Sequence, residues 1–292
     1  MSFPAPIVMM VFNRPAQTAR TFEAVRSLRP ARLLVIADGP RPGHEGDAVN
    51  CPEVRRIVSS VDWPCDLKLN FAEANLGLKQ RIFSGLSWVF DQVEEAIILE
   101  DDCLPDPSFF PYCRELLERY RHDERVMSIS GDNFQFGGTV CPHSYYFSRF
   151  MHCWGWATWR RAWKLHDPAM PCWPELKKDG WLESFVLDEG ERRHWHESFD
   201  AVYTGALNTW DYQFNYTVMR HHGLNILPSV NLVTNIGFGA DATHTVQASP
   251  FENLPSQPMA FPLAHPSHMV RDFFADDNYA RLAFRHTRRY IW

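Results

Sequence analysis

The stretch Ala96-Ile97-Ile98-Leu99-Glu100-Asp101-Asp102 decides the fold that the sequence predicts for this chain. Four consecutive apolar residues predict a strand that is buried on both faces, as in a parallel sheet. Three acidic residues then end it, at the sheet edge where open α/β folds bind ligands. If the extended backbone continues, Glu100 and Asp102 lie on one side and Asp101 on the other. The alternative interpretation is an acidic turn that caps the following helix.

Similar apolar runs recur on both sides of this stretch, with helical periodicities between them. Repeated strand–helix units predict an α/β fold, in which a mostly parallel sheet is flanked by helices on both faces. The predicted strands are 7–12, 32–37, 67–71, 96–99, 126–130 and 224–227. The predicted helices begin at residue 15 or cover 78–89, 109–121, 190–203, 211–222 and 272–289.

After Gly131 the alternation stops and aromatic residues accumulate in residues 143–163. Trp156, Trp159 and Trp163 have the spacing of a helix face, which is typical of a core. The alternative is that Trp154 and Trp156 stack on a sugar, because amphipathic rings suit ligands with mixed surfaces. This second half is therefore predicted to be aromatic-rich.

Length and composition restrict the class of protein. The chain has 292 residues, of which 45% are hydrophobic and 22% charged, which excludes disordered and fibrous classes. The net charge of −6 does not favour nucleic-acid binding, since such proteins carry a basic stripe. The length fits a single domain of 292 residues. By pattern it divides into an alternating half (1–135), an aromatic-rich half (136–249), and a Pro-rich arm with a C-terminal helix (250–292).

Cysteine usage and the lack of targeting signals predict a cytoplasmic protein. The seven cysteines are odd in number and include no CxxC pair, so reduced thiols are expected. The apolar N-terminus lacks the basic residues of a signal peptide, and no apolar run reaches 18 residues. The basic, aromatic end from Arg281 to Trp292 suggests peripheral contact with the inner membrane. A solvated helix face is the alternative.

Polar residues follow several of the other predicted strands. Asn13-Arg14 follows the first strand, Asp38 the second and Asp132 the fifth, although Asp132 is more simply explained as a turn or capping residue. An acidic edge repels phosphate unless a divalent cation lies between them, and carboxylate with phosphate oxygens is the environment that Mg²⁺ and Mn²⁺ prefer. The sequence therefore indicates a phosphate-containing ligand bound with such a cation.

Six short motifs accompany the acidic stretch in a fixed order between residues 6 and 245. They are Val11-Phe12-Asn13-Arg14, Ile36-Ala37-Asp38, Asn75-Leu76-Gly77-Leu78-Lys79, Ser128-Ile129-Ser130-Gly131-Asp132-Asn133, Cys153-Trp154-Gly155-Trp156 and Trp210-Asp211. Together they resemble the GT-A nucleotide-sugar glycosyltransferases, and most of all the inverting N-acetylglucosaminyltransferase I family. The resemblance implies a GT-A (Rossmann-like) fold and an enzyme that transfers a hexosyl or N-acetylhexosaminyl group from a nucleotide-diphosphate sugar. Residues 1–135 would then be the nucleotide-binding half and residues 136–249 the acceptor half. The implied acceptor is a glycan or lipid-linked glycan, in bacterial-type glycan or polysaccharide synthesis.

The resemblance also implies which residues bind the donor. Asp38 would accept a hydrogen bond from the nucleotide base, and Arg14 would lie near the diphosphate. Asp101 would face the ribose and Glu100 the transferred sugar. Lys79 is assigned to the same donor site through a motif that matches more loosely.

The remaining implied roles concern the metal and the base. Asp102 would bind the divalent metal, Mn²⁺ or Mg²⁺, and His244 is a candidate second ligand, with a solvated loop position as the alternative. Asp211 would remove the proton of the acceptor hydroxyl. The family has Asp-Asp where this chain has Asp211-Tyr212. The general chemistry agrees, because a metal and an arginine stabilise the negative charge that develops on the leaving diphosphate.

Two other functions remain as alternatives. A sugar-phosphate nucleotidyltransferase would need a glycine-rich basic loop after the first strand, where this chain has Asn13-Arg14-Pro15. A non-catalytic carbohydrate-binding protein could use the tryptophan-rich half, but it has no need for three acidic strand ends at one sheet edge.

Overall fold

In the computed structural model, which describes residues 2–138, 141–238, 251 and 253–284, ten strands and nine α-helices follow one another along the chain. The strands are β1 (Ile7–Val11), β2 (Arg32–Ala37), β3 (Asp66–Phe71), β4 (Glu95–Glu100), β5 (Cys103–Pro105), β6 (Val126–Ser130), β7 (Tyr145–Ser148), β8 (Trp156–Trp159), β9 (Leu224–Pro228) and β10 (Val233–Asn235). The helices are α1 (Pro15–Leu28), α2 (Glu45–Ser59), α3 (Leu78–Phe90), α4 (Phe109–Arg119), α5 (Arg160–Trp163), α6 (Trp173–Lys178), α7 (Glu189–Tyr203), α8 (Asp211–Arg220) and α9 (Phe273–Phe284).

Eight of the strands form one sheet in the order β3-β2-β1-β4-β8-β6-β9-β7. β3, β2, β1 and β4 are parallel neighbours, as are β6 and β9. β8 lies antiparallel between β4 and β6, and β7 is antiparallel at the edge. All strands of this sheet except β7 and β8 therefore run in one direction, which confirms the predicted mostly parallel α/β sheet. β5 and β10 pair separately.

Alternate residues of the central strands pack into two different cores, one on each face of the sheet. In β1, Ile7 and Met9 belong to the core under α1, α2 and α4, whereas Val8 and Met10 face α3, α5 and α8. The same alternation continues in β4. This double burial explains why these strands are continuous apolar runs in the sequence.

The aromatic-rich half forms a third core, built by α6, α7, α9 and one side of α8. Trp173, Trp195 and Phe199 are almost completely buried there. The predicted accumulation of aromatic residues is thus confirmed. Trp156 and Trp159 are also buried, but they lie in β8, so the helical periodicity predicted for them is wrong. Only Trp163 lies in a helix, the short α5.

Several further features bear on the sequence predictions. The predicted strands agree with the structure to within one or two residues. The elements that were not predicted are α2, α5, α6, β5, β7, β8 and β10. Residues 253–268 hold no regular element, as expected of the Pro-rich arm. All seven cysteines are described and are free thiols. Within the described ranges, no helix is both long and apolar enough to cross a lipid bilayer. His244 and the basic end beyond Phe284 lie outside the described residues.

Candidate functional site

A cavity of about 410 Å³ lies at the carboxyl ends of β1, β2 and β4. This is the sheet edge at which α/β folds bind ligands, and the volume is within the range of small-molecule sites. The start of α3, residues 153–154, the start of α8 and the loop after β10 also form parts of its wall. Of the seven predicted site residues, the structure brings six to this cavity: Arg14, Asp38, Glu100, Asp101, Asp102 and Asp211.

The acidic end of β4 forms the floor of the cavity together with Arg14. The strand ends at Glu100 and the chain turns at once, so the extended alternation does not continue and all three acidic side chains line the cavity. The expectation that Asp101 lies on the opposite side is therefore wrong. Arg14 Nη1 lies 2.5 Å from Asp102 Oδ2 and 3.8 Å from Asp101 Oδ1. The backbone N–H of Phe12 donates to Asp101 Oδ2 at 3.1 Å.

The charges of this cluster are not balanced. Burial, followed by the charge of Asp102, raises the pKa of Asp101 to about 7. Burial also raises the pKa of Glu100, and the charges of Asp102, Asp101 and Asp211 raise it further. The positive charge of Arg14 lowers the pKa of both Glu100 and Asp101 and so opposes these effects. Three carboxyl groups beside one guanidinium thus make a site that favours additional positive charge.

Asp38, after β2, has a different environment. Its Oδ1 accepts from the backbone N–H groups of Gly39 at 2.8 Å and Leu76 at 2.9 Å. Its Oδ2 accepts from Asn75 Nδ2 and from the N–H of Gly77, each at 3.1 Å. A carboxylate has about four lone-pair positions, and all of them are used here. Asp38 therefore ties residues 75–77 to the end of β2, and a nucleotide base would have to replace one of these donors.

Asp211 is the first residue of α8 and lines the same cavity. The Thr209 hydroxyl donates to its Oδ1. The preceding Trp210 stacks on Trp156 with ring centroids 5.3 Å apart, which fixes the beginning of the helix against β8. A carboxylate at this position is stabilised in its charged form by the helix dipole. Asp211 is thus suited both to begin the helix and to act as a base within the cavity.

Lys79 does not line the cavity, whereas Arg81 does. Leu78, Arg81 and Ile82 all line the cavity, as expected for positions i, i+3 and i+4 of α3, while Lys79 is displaced by about 100° around the helix. Arg81 is 6% exposed and donates to the carbonyl and side-chain oxygens of Asn70. No carboxylate within the described residues forms an ion pair with it. The signal in the sequence was an arginine inside an apolar helix stripe.

The loop after β10 closes over Asp102, which the sequence did not predict. The N–H of Ile236 donates to the Asp102 carbonyl at 2.8 Å. A Cβ atom at Gly237 would lie 2.0 Å from Asp102 Oδ2 and 2.8 Å from Arg14 Nη1. Only glycine fits this position without moving the ion pair.

The described residues contain no group of three or more His, Cys, Asp or Glu side chains placed to hold a metal ion. Asp102 can offer one carboxylate, at a cavity with room for further ligands. Mg²⁺ and Mn²⁺ are commonly bound through one or two carboxylates together with substrate phosphates and water. The residues present therefore fit a cation shared with a phosphate ligand, and they do not fit a site made by the protein alone.

Comparisons with known proteins agree with the resemblance seen in the sequence. No family model matches the chain. Over 103 residues it is 33% identical to an alpha-1,3-mannosyl-glycoprotein 2-beta-N-acetylglucosaminyltransferase from Arabidopsis thaliana; the match covers 32% of this chain and 22% of that protein. The chain thus matches only about a fifth of the length of this relative. Over that segment, the resemblance to the N-acetylglucosaminyltransferase I family is confirmed.

Similar solved structures include the galactosyltransferase LgtC in complex with donor and acceptor sugar analogues. That match has 12% identity and a TM-score of 0.36, and it covers 73% of this chain and 70% of that chain. Mouse xyloside xylosyltransferase 1 in its apo form has 11% identity and a TM-score of 0.39, with 76% and 84% covered.

Proposed function

We propose that the chain is a glycosyltransferase that transfers a sugar from a nucleotide-diphosphate sugar to an acceptor hydroxyl, with inversion at the anomeric carbon. One observation carries the proposal: Arg14, the acidic end of β4 and Asp211 line the same cavity at the carboxyl edge of the parallel strands. The identity with an N-acetylglucosaminyltransferase over 103 residues supports it. The proposed donors are hexosyl and N-acetylhexosaminyl nucleotides.

The residues of the cavity divide into three groups with respect to the donor. Arg14 and Arg81 both line the cavity and are assigned to the positive charge that a diphosphate requires. Asp38 and the residues 75–77 that it holds form the part assigned to the base. Glu100 and Asp101 are assigned to the transferred sugar and the ribose, and Arg81 takes the place in the donor site that the sequence had assigned to Lys79.

A divalent cation, Mn²⁺ or Mg²⁺, bound by Asp102 would supply positive charge to the departing diphosphate. Arg14 adds a fixed guanidinium beside the same carboxylate, 2.5 Å away. Preorganised charge of this kind stabilises the leaving group at the moment when its negative charge develops.

Asp211 is the proposed base. As the new bond forms between the acceptor oxygen and the anomeric carbon, the hydroxyl proton moves to the Asp211 carboxylate. The bond to the diphosphate breaks, and its electron pair leaves with the diphosphate. Inversion requires a base on the face opposite to the leaving group, as in inverting glycosidases. We assign Asp211 to that face, because it begins α8 and lines the same cavity as Arg14 and the acidic end of β4.

The two alternative functions lose support in the structure. Asn13 and Arg14 lead directly into α1, with no glycine-rich loop of the kind that a nucleotidyltransferase uses. Trp156 is buried and offers no surface to a carbohydrate, whereas Trp154 is partly exposed and lines the cavity, so any stacking on a sugar would involve Trp154 alone of the two. The acceptor is proposed to be a glycan or a lipid-linked glycan in polysaccharide synthesis, the second of which would require peripheral membrane contact.

A thermal-shift screen tests the proposal directly. Nucleoside diphosphates and their common sugar derivatives are added to the protein, with and without Mn²⁺. Binding to the native state raises the apparent stability by mass action, so we expect one base to raise the melting temperature, and more so with Mn²⁺. At a concentration 100 times the Kd the shift corresponds to about 2.7 kcal/mol. No stabilisation by any nucleotide at millimolar concentration would contradict the proposal.

A further inference from the structure

A second, smaller cavity lies beside the first. Its volume is about 60 Å³, and both cavities are lined by Cys153, Trp154 and Asp211. Its inner end is formed by Asp132, at the end of β6, and by His152. Asp211 therefore lies where the proposed donor cavity and the smaller cavity adjoin.

The inner end of this cavity contains buried polar atoms that lack partners. Asp132 is 1% exposed and His152 is 6% exposed. Asp132 Oδ2 accepts from the N–H of Trp154 at 3.0 Å, but Asp132 Oδ1 and both ring nitrogens of His152 have no partner among the described residues. Leaving such groups unsatisfied is costly, so a molecule that both donates and accepts hydrogen bonds belongs there.

The rest of the wall is aromatic. The Phe134 ring lies 4.7 Å from the His152 ring and 5.2 Å from Trp154, and Tyr279 lies 4.6 Å from His152 on the other side. A small space with ring faces around it and hydrogen-bonding atoms at one end matches a sugar, which presents C–H groups and hydroxyls together. The volume admits one edge of a sugar ring rather than a whole ring.

The protonation states of the side chains that line the small cavity restrict the class of ligand that fits it. Burial raises the pKa of Asp132 well above its ordinary value and lowers the pKa of His152 to about 3. His194, which also lines the cavity, has its pKa lowered to about 4 by burial. Burial thus favours the uncharged form of each group, which suits neutral hydroxyls and disfavours phosphates, amines and metal ions.

We propose that the small cavity is the acceptor-hydroxyl subsite, in which Asp132 and His152 bind the hydroxyl-bearing edge of a neutral sugar. This inference rests on the proposed function, because Asp211 lines both cavities and is then the base beside the acceptor oxygen, at the place where the acceptor meets the donor. The acceptor oxygen forms its bond to the anomeric carbon, its proton goes to Asp211, and the diphosphate leaves with the electron pair. Asp132 and His152 take no proton in this step and act as positioning residues.

The test measures binding of methyl hexopyranosides, which are neutral and lack a reactive anomeric hydroxyl. Methyl glycosides of glucose, galactose and mannose are titrated by saturation-transfer NMR onto the full chain, in the presence of a nucleoside diphosphate and Mn²⁺. We expect the native protein to bind at least one glycoside. His152→Phe keeps the stacked ring but removes both nitrogens, and should weaken binding about tenfold. His152→Leu is the second variant if the phenylalanine does not fit.

Two further variants separate a specific loss from a general one. His166 is matched to His152: it is 6% exposed, both ring nitrogens lack partners among the described residues, and it lines neither cavity. His166→Phe should leave glycoside binding unchanged. Asp132→Ala removes the carboxyl group that the proposal places against the sugar hydroxyl, so it should weaken glycoside binding as His152→Phe does.

The outcomes distinguish this inference from the proposed function. If the native protein binds nucleotides but none of the glycosides, or if His152→Phe and His152→Leu bind them as the native protein does, the small cavity is not the acceptor subsite. The proposed function then stands on nucleotide binding alone. If no nucleotide binds, the proposed function fails, whereas glycoside binding that depends on His152 would still assign a sugar to the cavity.

Discussion

The two cavities that share Asp211 differ in charge, although they lie side by side. The larger holds Arg14, Arg81 and the acidic end of β4, so charged groups line it on several sides. The smaller is closed by Asp132 and His152, for which burial favours the uncharged forms. A diphosphate and a cation suit the first, and a neutral hydroxyl suits the second. The difference shows how a single carboxylate can stand between two ligands of opposite character.

The most severe test of this division concerns the shared residue. Asp211→Asn removes the base but keeps the shape of the wall, so we expect sugar transfer to fall by about 10²–10⁴-fold, the usual range for general-base catalysis. Nucleotide-sugar affinity, measured by calorimetry, should stay within about threefold. Asp188→Asn is the matched control, because Asp188 also begins a helix and lines neither cavity. Transfer at the native rate by Asp211→Asn would make Asp211 a helix-capping residue only.

The charged character of the larger cavity is tested at Asp102. Asp102→Ala should remove the part of the nucleotide affinity that depends on Mn²⁺, so that calorimetric titrations with and without the metal coincide. Asp91→Ala, an exposed carboxylate at the end of α3, should keep the metal dependence. A metal-dependent affinity that survives Asp102→Ala would assign the cation to other residues.

Asp38 belongs to the larger cavity, but its hydrogen bonds are internal. Asp38→Ala should weaken nucleotide binding by about 1.5–3 kcal/mol, the range for a hydrogen bond to a charged group. If Asp38 contacts the base, only nucleotides with a ring N–H, such as those of uracil or guanine, will lose affinity. If it acts by holding residues 75–77, all nucleotides will lose affinity equally and the melting temperature will fall. Titration of uridine and cytidine diphosphates decides between the two.

The smallest effect concerns the uncharged state of the smaller cavity. The pKa of folded His152 is lowered to about 3, below the value of about 6.5 for an exposed histidine. Between these two pH values, His152 takes up a proton when the protein unfolds. The contribution of neutral His152 to the free energy of unfolding is therefore complete above pH 6.5 and is lost as the pH falls toward 3. His152→Phe should reduce the slope of unfolding free energy against pH by about 1.4 kcal/mol per pH unit near pH 5. Chemical denaturation at several pH values measures it, and equal slopes would show that His152 is charged in the folded protein.

Much of the first half could be predicted from the sequence, because its signals are local. β2 has the predicted bounds, Arg32–Ala37, since the five buried residues 33–37 form an uninterrupted apolar run. The acidic residues of the larger cavity were found for the same reason, as polar residues directly after buried strands. α2 was missed because Gly46 and Pro52 interrupt its pattern, although Cys51, Val54 and Val58 bury one side of it.

The second half could not be predicted to the same degree, because its signals depend on distant partners. Trp156 and Trp159 lie in a strand because their backbones pair with neighbouring strands: Trp156 pairs with β4 and β6, and Trp159 pairs with β4. Gly237 lies against Asp102 in the site, although the two residues are more than 130 positions apart in the sequence. Lys79 and Arg81 are two positions apart, and only the packing of α3 against β2 decides which of them faces the cavity.

The position of β8 also matters for anyone who wishes to produce part of this protein. β1 to β4 are complete by residue 100, but β4 remains an edge strand until residues 156–159 pair with it. The unpaired backbone groups along Ala96, Ile97 and Ile98 would then be exposed on a flat apolar strand, which is a template for aggregation. A fragment that ends at residue 135 keeps that edge open, whereas one that continues past Trp163 closes it. Solubility, more than the boundary of the nucleotide-binding half, should decide where such a fragment ends.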